Sequence, residues 1–425
     1  MTDHSVLQAR ARFWKRAGAI IAVLMVLSTA GMRLVAKHAA SFVAINLGTI
    51  HGVGSSDAFA VNDKGLVVGS SAISDSNSSV LHAFVWSADT GMTDLGTLGN
   101  DTQSTAIAVD NNGVIAGFDT VPQVSPLPPL FHAFVRTRSI GLAPLSLGGS
   151  NSSSTASNAK GDIVGYSDSA SNPSLHAFLW TARDGVTRDL GTLGGDTSFA
   201  YAINDDDVVV GESAIKSGEH HAFMWTPRAG MMIDLGTLGG FTSAAQAVSD
   251  KGVIVGNSQV DSGANHAFIW TRQTGRMVDI GSGGDAVGTD GVAFNSFGEK
   301  INGGFVIGHF TPNNTMHGFV WTEKRGFVDI GTLPHDVGSL VVGVNDRGVV
   351  AGNSFSGSAS HAFVWSSGRI VPLETPAGFS SHANAMNGDF IVGASCDGQN
   401  VCHATLWKPA PHSRKDQDRD DDEQD

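Results

Sequence analysis

Residues 81–100 read LHAFVWSADTGMTDLGTLGN, and nearly all of the chain is a copy of this stretch or a spacer between copies. The triplet His-Ala-Phe returns at His82, His132, His176, His221, His266 and His361, with weaker copies at His317 (His-Gly-Phe) and His403 (His-Ala-Thr). The steps between these histidines are 50, 44, 45, 45, 51, 44 and 42 residues. A period in the range of roughly 20–50 residues marks a solenoid, propeller or array.

Each copy holds four short β-like runs, which in the fourth are FAYAIN (199–204), VVVG (208–211), HAFMW (221–225) and MIDL (232–235). Asn-Asp-x-Gly, cleanest at Asn62-Asp63-Lys64-Gly65 and Asn345-Asp346-Arg347-Gly348, separates the first two runs. Asn, Asp and Gly tolerate the positive φ that a tight hairpin needs. A glycine ends the second run in every copy, from Gly69 to Gly393. A polar spacer then precedes the His run, and Asp-Leu-Gly-Thr-Leu-Gly-Gly closes the unit, best kept at Asp94, Asp189 and Asp234. Four short antiparallel strands per unit is the arithmetic of a propeller blade.

Residues two apart share a face of a strand. His82, Phe84 and Trp86 therefore point one way, and Ala83 and Val85 the other. The same reading assigns His176, Phe178 and Trp180, His221, Phe223 and Trp225, His266, Phe268 and Trp270, and His361, Phe363 and Trp365 to the repeat core. Bulky faces would fill the gaps between blades, and small faces would receive them.

The first copy begins out of phase. Residues 41–50, SFVAINLGTI, match the Asp-Leu-Gly-Thr-Leu segment with Asn46 in the Asp position. The last copy stops after its His run at ATLW (404–407), without that segment. The N-terminal run thus supplies the missing strand, which would remove an open sheet edge. The expected fold is all-β: a single β-propeller of about eight four-stranded blades over residues 38–408, closed by the N-terminal strand.

Residues 1–37 are a signal peptide or an N-terminal membrane anchor by the same reading. A basic stretch with Arg10, Arg12, Lys15 and Arg16 precedes the uncharged AGAIIAVLMVL (17–27) and the small residues Ser28-Thr29-Ala30. That order is the layout of a secretory signal. The uncharged run is shorter than the roughly 20 residues of a spanning helix, and Arg33 would burden an anchor. Both fates place the rest of the chain outside the inner membrane, periplasmic or extracellular, with membrane contact only through an uncleaved N-terminus. The tail, 409–425, is charged, and a disordered acidic segment is expected there.

Of the formal net charge of −14, residues 1–37 contribute +5, so the body is strongly acidic. Such a body repels phosphate, which argues against a nucleic-acid partner. Gly at 53 of 425 residues, 22 Phe and only two Tyr fit a β protein with many tight turns.

The linked motifs His-Ala-Phe-Val-Trp, Asp-Leu-Gly-Thr-Leu-Gly-Gly, Ala-Ile-Asn and Val-Val-Val-Gly resemble those of the bacterial HAF-repeat proteins, also described as probable extracellular repeat proteins. The resemblance spans about residues 42–408 and implies an exported propeller-like protein. It supplies no catalytic residues. Arg136, in a Trp position, and Thr405, in a Phe position, depart from the pattern.

Two stretches interrupt the period. DTVPQVSPLPPL (119–130) carries four prolines and reads as a surface loop, and the spacing loosens again over 281–304. The eight repeat histidines sit at equivalent places on different blades, so a ring separates them and a shared metal is not expected. Asp205-Asp206-Asp207 lacks the spacing of a calcium loop. Neither a nucleophile elbow nor a phosphate loop stands in a fitting context, and no cofactor is expected. Cys396 and Cys402 flank a short turn, and in an oxidising compartment they would form a disulfide. The expected function is a monomeric, non-catalytic binding or scaffold module whose ligand is an unidentified protein or glycan. A propeller enzyme acting on extracellular glycans and a purely structural repeat are the alternatives.

Overall fold

The computed structural model describes residues 41–410, apart from 53, 75–79, 122–128, 282–295, 313–314 and 358. The expected signal or anchor segment and the acidic tail fall outside the described residues. Two units are distinguished, 1–42 with 409–425, and 43–408; the repeats occupy the second.

Eight four-stranded antiparallel sheets form the propeller, and in blades 1 to 7 the strands lie in chain order. Blades 1 to 7 span 56–96, 103–145, 148–189, 194–234, 239–279, 296–329 and 338–372. Blade 8 combines three C-terminal strands, Ser380–Asn387, Phe390–Cys396 and Cys402–Pro409, with Phe42–Gly48 on its outer edge. The first strands of successive blades touch one another all the way round, from blade 8 back to blade 1, so they are innermost. Turns between strands one and two, and three and four, share one face of the ring, here the turn face. The loops between strands two and three and the links between blades lie on the other, the crossover face.

The alternation anticipated from the His strand governs the packing. Phe84, Phe134, Phe178, Phe223, Phe268, Phe319 and Phe363 are all completely buried. Between blades 3 and 4, Val209, Phe223, Trp225 and Met232 of blade 4 meet Val164, Ala177 and Leu179 of blade 3. Bulk on the leading face thus fits small residues on the trailing face of the blade before. At roughly 25 cal/mol per Å² of buried apolar surface, such contacts supply the main stabilisation.

Between blades, one polar contact recurs at every junction. The amide in the middle of each His-x-Phe triplet donates to a serine Oγ on the first strand of the next blade: Ala83 to Ser104 (2.7 Å), Ala133 to Ser152 (2.9 Å), Ala177 to Ser198 (2.8 Å), Ala222 to Ser243 (2.8 Å), Ala267 to Ser296 (2.9 Å), Gly318 to Ser339 (3.0 Å) and Ala362 to Ser381 (3.1 Å). In blade 8, Ala404 donates to Ser56 at 2.8 Å and closes the ring onto blade 1. All eight serines are buried.

The invariant glycine of the second strand follows from a register shift. In every blade the first strand carries an extra residue, as between Ala200 and Ala202 in blade 4. This bulge drives a carbonyl into the second strand: a Cβ on Gly211 would lie 1.9 Å from Phe199 O, and one on Gly393 1.9 Å from His382 O. Blade 8 keeps its glycine although Thr405 replaces the phenylalanine, so the backbone imposes the requirement.

Three sequence-based boundaries are corrected. The Gly-Gly pair expected to end the connecting segment opens the next first strand, Gly194–Ile203 in blade 4, because Gly194 already pairs with Ile215. Asp119 and Leu130, expected in a loop, belong to strands Ile115–Val121 and Leu130–Thr137; only 122–128 falls outside the described residues. The loosened region 281–304 contains the first strand of blade 6, Ser296–Asn302.

Gly211→Ala should cost at least about 3 kcal/mol, beyond the usual overpacking range of roughly 1–3, because the obstacle is backbone. A denaturant midpoint near that of the parent would contradict the bulge as its cause. Ser56→Ala and Ser243→Ala should each cost about 1–3 kcal/mol by stranding a buried amide. Unequal losses in urea unfolding would show that the closing junction is held differently from an internal one.

Candidate functional site

The repeat histidines stand at the edge of the core and not inside it, which corrects the expectation that grouped them with Phe and Trp. The His82, His176, His221 and His266 side chains are 19%, 21%, 18% and 16% exposed. Each Nδ1 meets the aspartate opening the fourth strand's Asp-Leu-Gly segment: His82–Asp94 (3.0 Å), His176–Asp189 (2.9 Å), His221–Asp234 (3.0 Å), His266–Asp279 (2.7 Å) and His317–Asp329 (3.0 Å). The other oxygen of each aspartate accepts the amide of the glycine two residues on, at 2.7–2.8 Å. In blade 8, Asn46 stands in for the aspartate, donating to His403 Nδ1 (3.2 Å) and accepting from Gly48 N (2.8 Å). Blades 2 and 7 have Pro144 and Pro372 at this position; His132 turns to Asp101 (2.8 Å), and His361 faces Asp336 at 3.7 Å. These pairs brace the turn out of each blade.

The assigned core aromatics are spread round the ring and form no common site. Trp180, Trp225, Trp270 and Trp365 are buried, whereas Trp86 is half-buried. Cys396 and Cys402 lie opposite each other in register and are joined by a disulfide. Their Cα atoms are 3.9 Å apart, closer than the roughly 4.4–6.8 Å usual for disulfides. Asp207, from the acidic run, pairs with Lys160 at 3.1 Å, and Asp205 accepts the Ala159 amide. Among the described residues no group of three His, Cys, Asp or Glu is placed to hold a metal ion.

What varies from blade to blade gathers on the inner strands. Between blades 3 and 4 lie both tyrosines of the chain. Tyr166 packs edge-on against Phe199 (5.2 Å between centroids), and Phe199 stacks on His220 (6.2 Å). Tyr201 hydrogen-bonds Glu212, and burial, then the Glu212 charge, hold its phenol above the usual range. Glu212 also lies 3.4 Å from His220 Nδ1. A second cluster, in blade 6, joins Glu299 to His309 (2.7 Å) with Phe297 stacked on the imidazole. A third bridges blades 8 and 1, where Asp57 takes His382 Nε2 (2.9 Å) and Asn384 Nδ2 (2.8 Å). The hydrogen bond that His382 donates to Asp57 outweighs burial and raises the His382 pKa. Sequence reasoning passed over these groups because none belongs to the motif; the scarcity of tyrosine and the doubled His220-His221 were the available signals.

The turn face carries a groove between neighbouring blades. One, of about 750 Å³, is lined by Ile45, Lys64, Trp86, Arg138, Phe390 and Lys408. Others of about 570, 460 and 400 Å³ follow at blades 3–4, 4–5 and 6–7.

One buried position breaks the repeat. A second-strand serine, such as Ser71, Ser167, Ser213, Ser258 or Ser354, accepts an amide of the segment arriving from the previous blade. In blade 2 the acceptor is Asp119, whose Oδ2 takes the Leu98 amide while Oδ1 is buried without a hydrogen-bond partner. Burial is the main cause that pushes this carboxyl up to about 6.

No family model matches the chain, and no curated protein matches it. Solved structures do resemble it. Dipeptidyl peptidase 4 from Porphyromonas gingivalis aligns with TM-score 0.53 at 9% identity, over 85% of this chain and 58% of that one. A structure from an analysis of two prolyl endopeptidases aligns with TM-score 0.52 at 11% identity, over 85% of this chain and 55% of that one. The propeller domain of the trilobed protease from Pyrococcus furiosus gives 0.46 at 9% identity, with 73% and 94% covered. The likeness is one of fold. The chain spans little more than half the length of the two peptidases, and at these identities their chemistry does not transfer. The protein is a β-propeller module.

Two groups make stability pH-dependent with the same sign. Asp119 has a native pKa of about 6 against an ordinary 3.8. The unfolded chain gives up this proton first, so stability falls from about pH 4 to pH 6. Above that range the whole penalty is present, roughly 2–3 kcal/mol at about 1.36 per unit. His382, raised, contributes stability below its unfolded value that is lost as pH rises through its native one. Asp119→Ser keeps an acceptor for Leu98 and should raise the melting temperature near pH 8 but not near pH 4. An equal effect at both pH values would locate the penalty elsewhere.

Proposed function

We propose that the ring is the non-catalytic binding module of an exported HAF-repeat protein, and that its ligand is a protein or glycan met outside the inner membrane. One observation carries this reading: the motif's polar groups are spent on bracing, while residues free to vary collect on the inner strands. Side chains that only hold a repeat together have no reason to differ between blades. Tyr166, Phe199, Tyr201, Glu212 and His220 form the richest such group, an aromatic surface with a carboxylate beside it. Aromatic faces with a few fixed polar groups are what ligand sites are built from.

Export is supported by the basic and then apolar order of residues 1–30 and by the disulfide-forming cysteines. The family assignment rests on the linked repeat motifs. The body's negative charge makes nucleic acid an unsuitable partner.

A glycan array and a pull-down with the full chain, expressed with export, test the proposal. A retained ligand should be lost at least about tenfold (about 1.4 kcal/mol) in Tyr201→Ala, with little change in melting temperature. His221→Ala should do the reverse, lowering the melting temperature and sparing binding. Binding that survives Tyr201→Ala and Glu212→Gln together would remove the inner cluster from the site.

A further inference from the structure

On the crossover face, the entrance to the innermost strands is apolar on one side only. The residue two places before each junction serine is Phe241 in blade 5, Val337 in blade 7 and Phe379 in blade 8. Their exposures are 74%, 57% and 54%, among the largest for any apolar side chain in the ring. The blade 6 counterpart lies outside the described residues. In blades 1 to 4 the same position holds Gly54, Thr102, Ser150 and Asp196. Single exposed apolar residues are ordinary on a protein surface. Three at one repeat position, on blades 5, 7 and 8, face a polar half and make the mouth sided.

The charge of this face is equally sided. Among the described residues, Lys216 is the one lysine or arginine on it; the others lie toward the turn face, in or beside its hairpins or, for Lys408, near the end of the last strand. Each blade, in contrast, contributes a carboxylate here, and Asp196, Glu219, Asp261, Glu374 and Asp397 add to the aspartates that brace the histidines. Next to Val337, the Asp336 side chain is only 7% exposed, and its Oδ2 has no hydrogen-bond partner. The Nδ1 of the His361 imidazole lies 3.7 Å from it, beyond hydrogen-bond distance. An acceptor without a donor therefore sits at the edge of the apolar arc, within a field that attracts cations.

We infer that this mouth docks a basic, amphipathic segment of a partner protein, with its large apolar side chains on Phe241, Val337 and Phe379 and its lysines or arginines against the surrounding carboxylates. This deepens the binding-module reading and rests on it. Anionic glycans and phosphate-bearing ligands are unsuited to the face, and a neutral apolar ligand would leave its charge unused.

Fluorescence anisotropy with a labelled peptide alternating lysine with leucine, titrated with the full chain, tests the inference. Peptides alternating lysine with serine and glutamate with leucine serve as comparators. The lysine–leucine peptide should bind at least about tenfold tighter than lysine–serine, and glutamate–leucine should not bind. Phe241→Ser with Phe379→Ser should bring lysine–leucine affinity down to the lysine–serine level. Both side chains are exposed, so melting temperature should hold. Met231→Ser, which removes a 65% exposed side chain at the turn face, should leave affinity unchanged. Equal affinity for the two lysine peptides, no binding at all, or binding insensitive to the double substitution would overturn the inference. If a ligand recovered from the array or pull-down still binds the double variant, the module reading stands and the mouth is not its site.

Discussion

A serine hydroxyl that receives the amide of a neighbouring blade is the contact on which the ring depends. Apolar faces alone would let blades slide, since packing of bulk against small residues is only loosely directional. The hydrogen bond is directional, and it ties the middle of one third strand to the start of the next first strand. Repeated at every junction, it gives each blade the same directional tie to the next. The bulge and its glycine serve the same end. By shifting the inner strand one residue, they let the serine face outward to the preceding blade while the strand still pairs with its own sheet.

The fold was legible because its determinants are local and repeated. The spacing of His82 and its counterparts, the Asn-Asp-x-Gly hairpins and the out-of-phase start at Asn46 lead to a closed ring of eight without any long-range knowledge. The reach of side chains was harder to read. His82 alternates with Phe84 and so was grouped with the core, yet a polar ring on a packed strand finds a carboxylate where one is near, and Asp94 lies on the adjoining strand. Asp119 looked like part of a proline-rich loop because the prolines dominate that stretch. Its burial follows from its register with His132, which no local pattern reveals. The inner clusters share this property. Tyr166 and Phe199 are far apart in sequence and meet only because first and second strands of neighbouring blades converge near the axis.

Repetition and recognition pull such a chain in different directions. A position that carries the same residue in every blade cannot distinguish one part of a ligand from another. On the binding-module proposal, discrimination would fall to the few places where a substitution disturbs no junction: the inner strands and the exposed lead into each first strand. Asp119 shows the penalty when variation enters a bracing position, for a carboxylate replaces a serine in a dry place and loses a hydrogen-bond partner for one oxygen.

The closing blade also determines how the ring responds to mechanical load. Phe42–Gly48 starts, and Cys402–Pro409 finishes, at the turn face, with Ile45 and Lys408 lining the same groove. These two strands are neighbours in the sheet. A force pulling the ends of the ring apart therefore acts on their ladder from one end and opens it bond by bond, as a zipper opens, without shearing all bonds at once. The Cys396–Cys402 bridge lies at the far end of that blade and links the other pair of strands. It keeps the C-terminal hairpin intact while the N-terminal strand peels away, so tension would release the ring at its seam and leave seven blades folded.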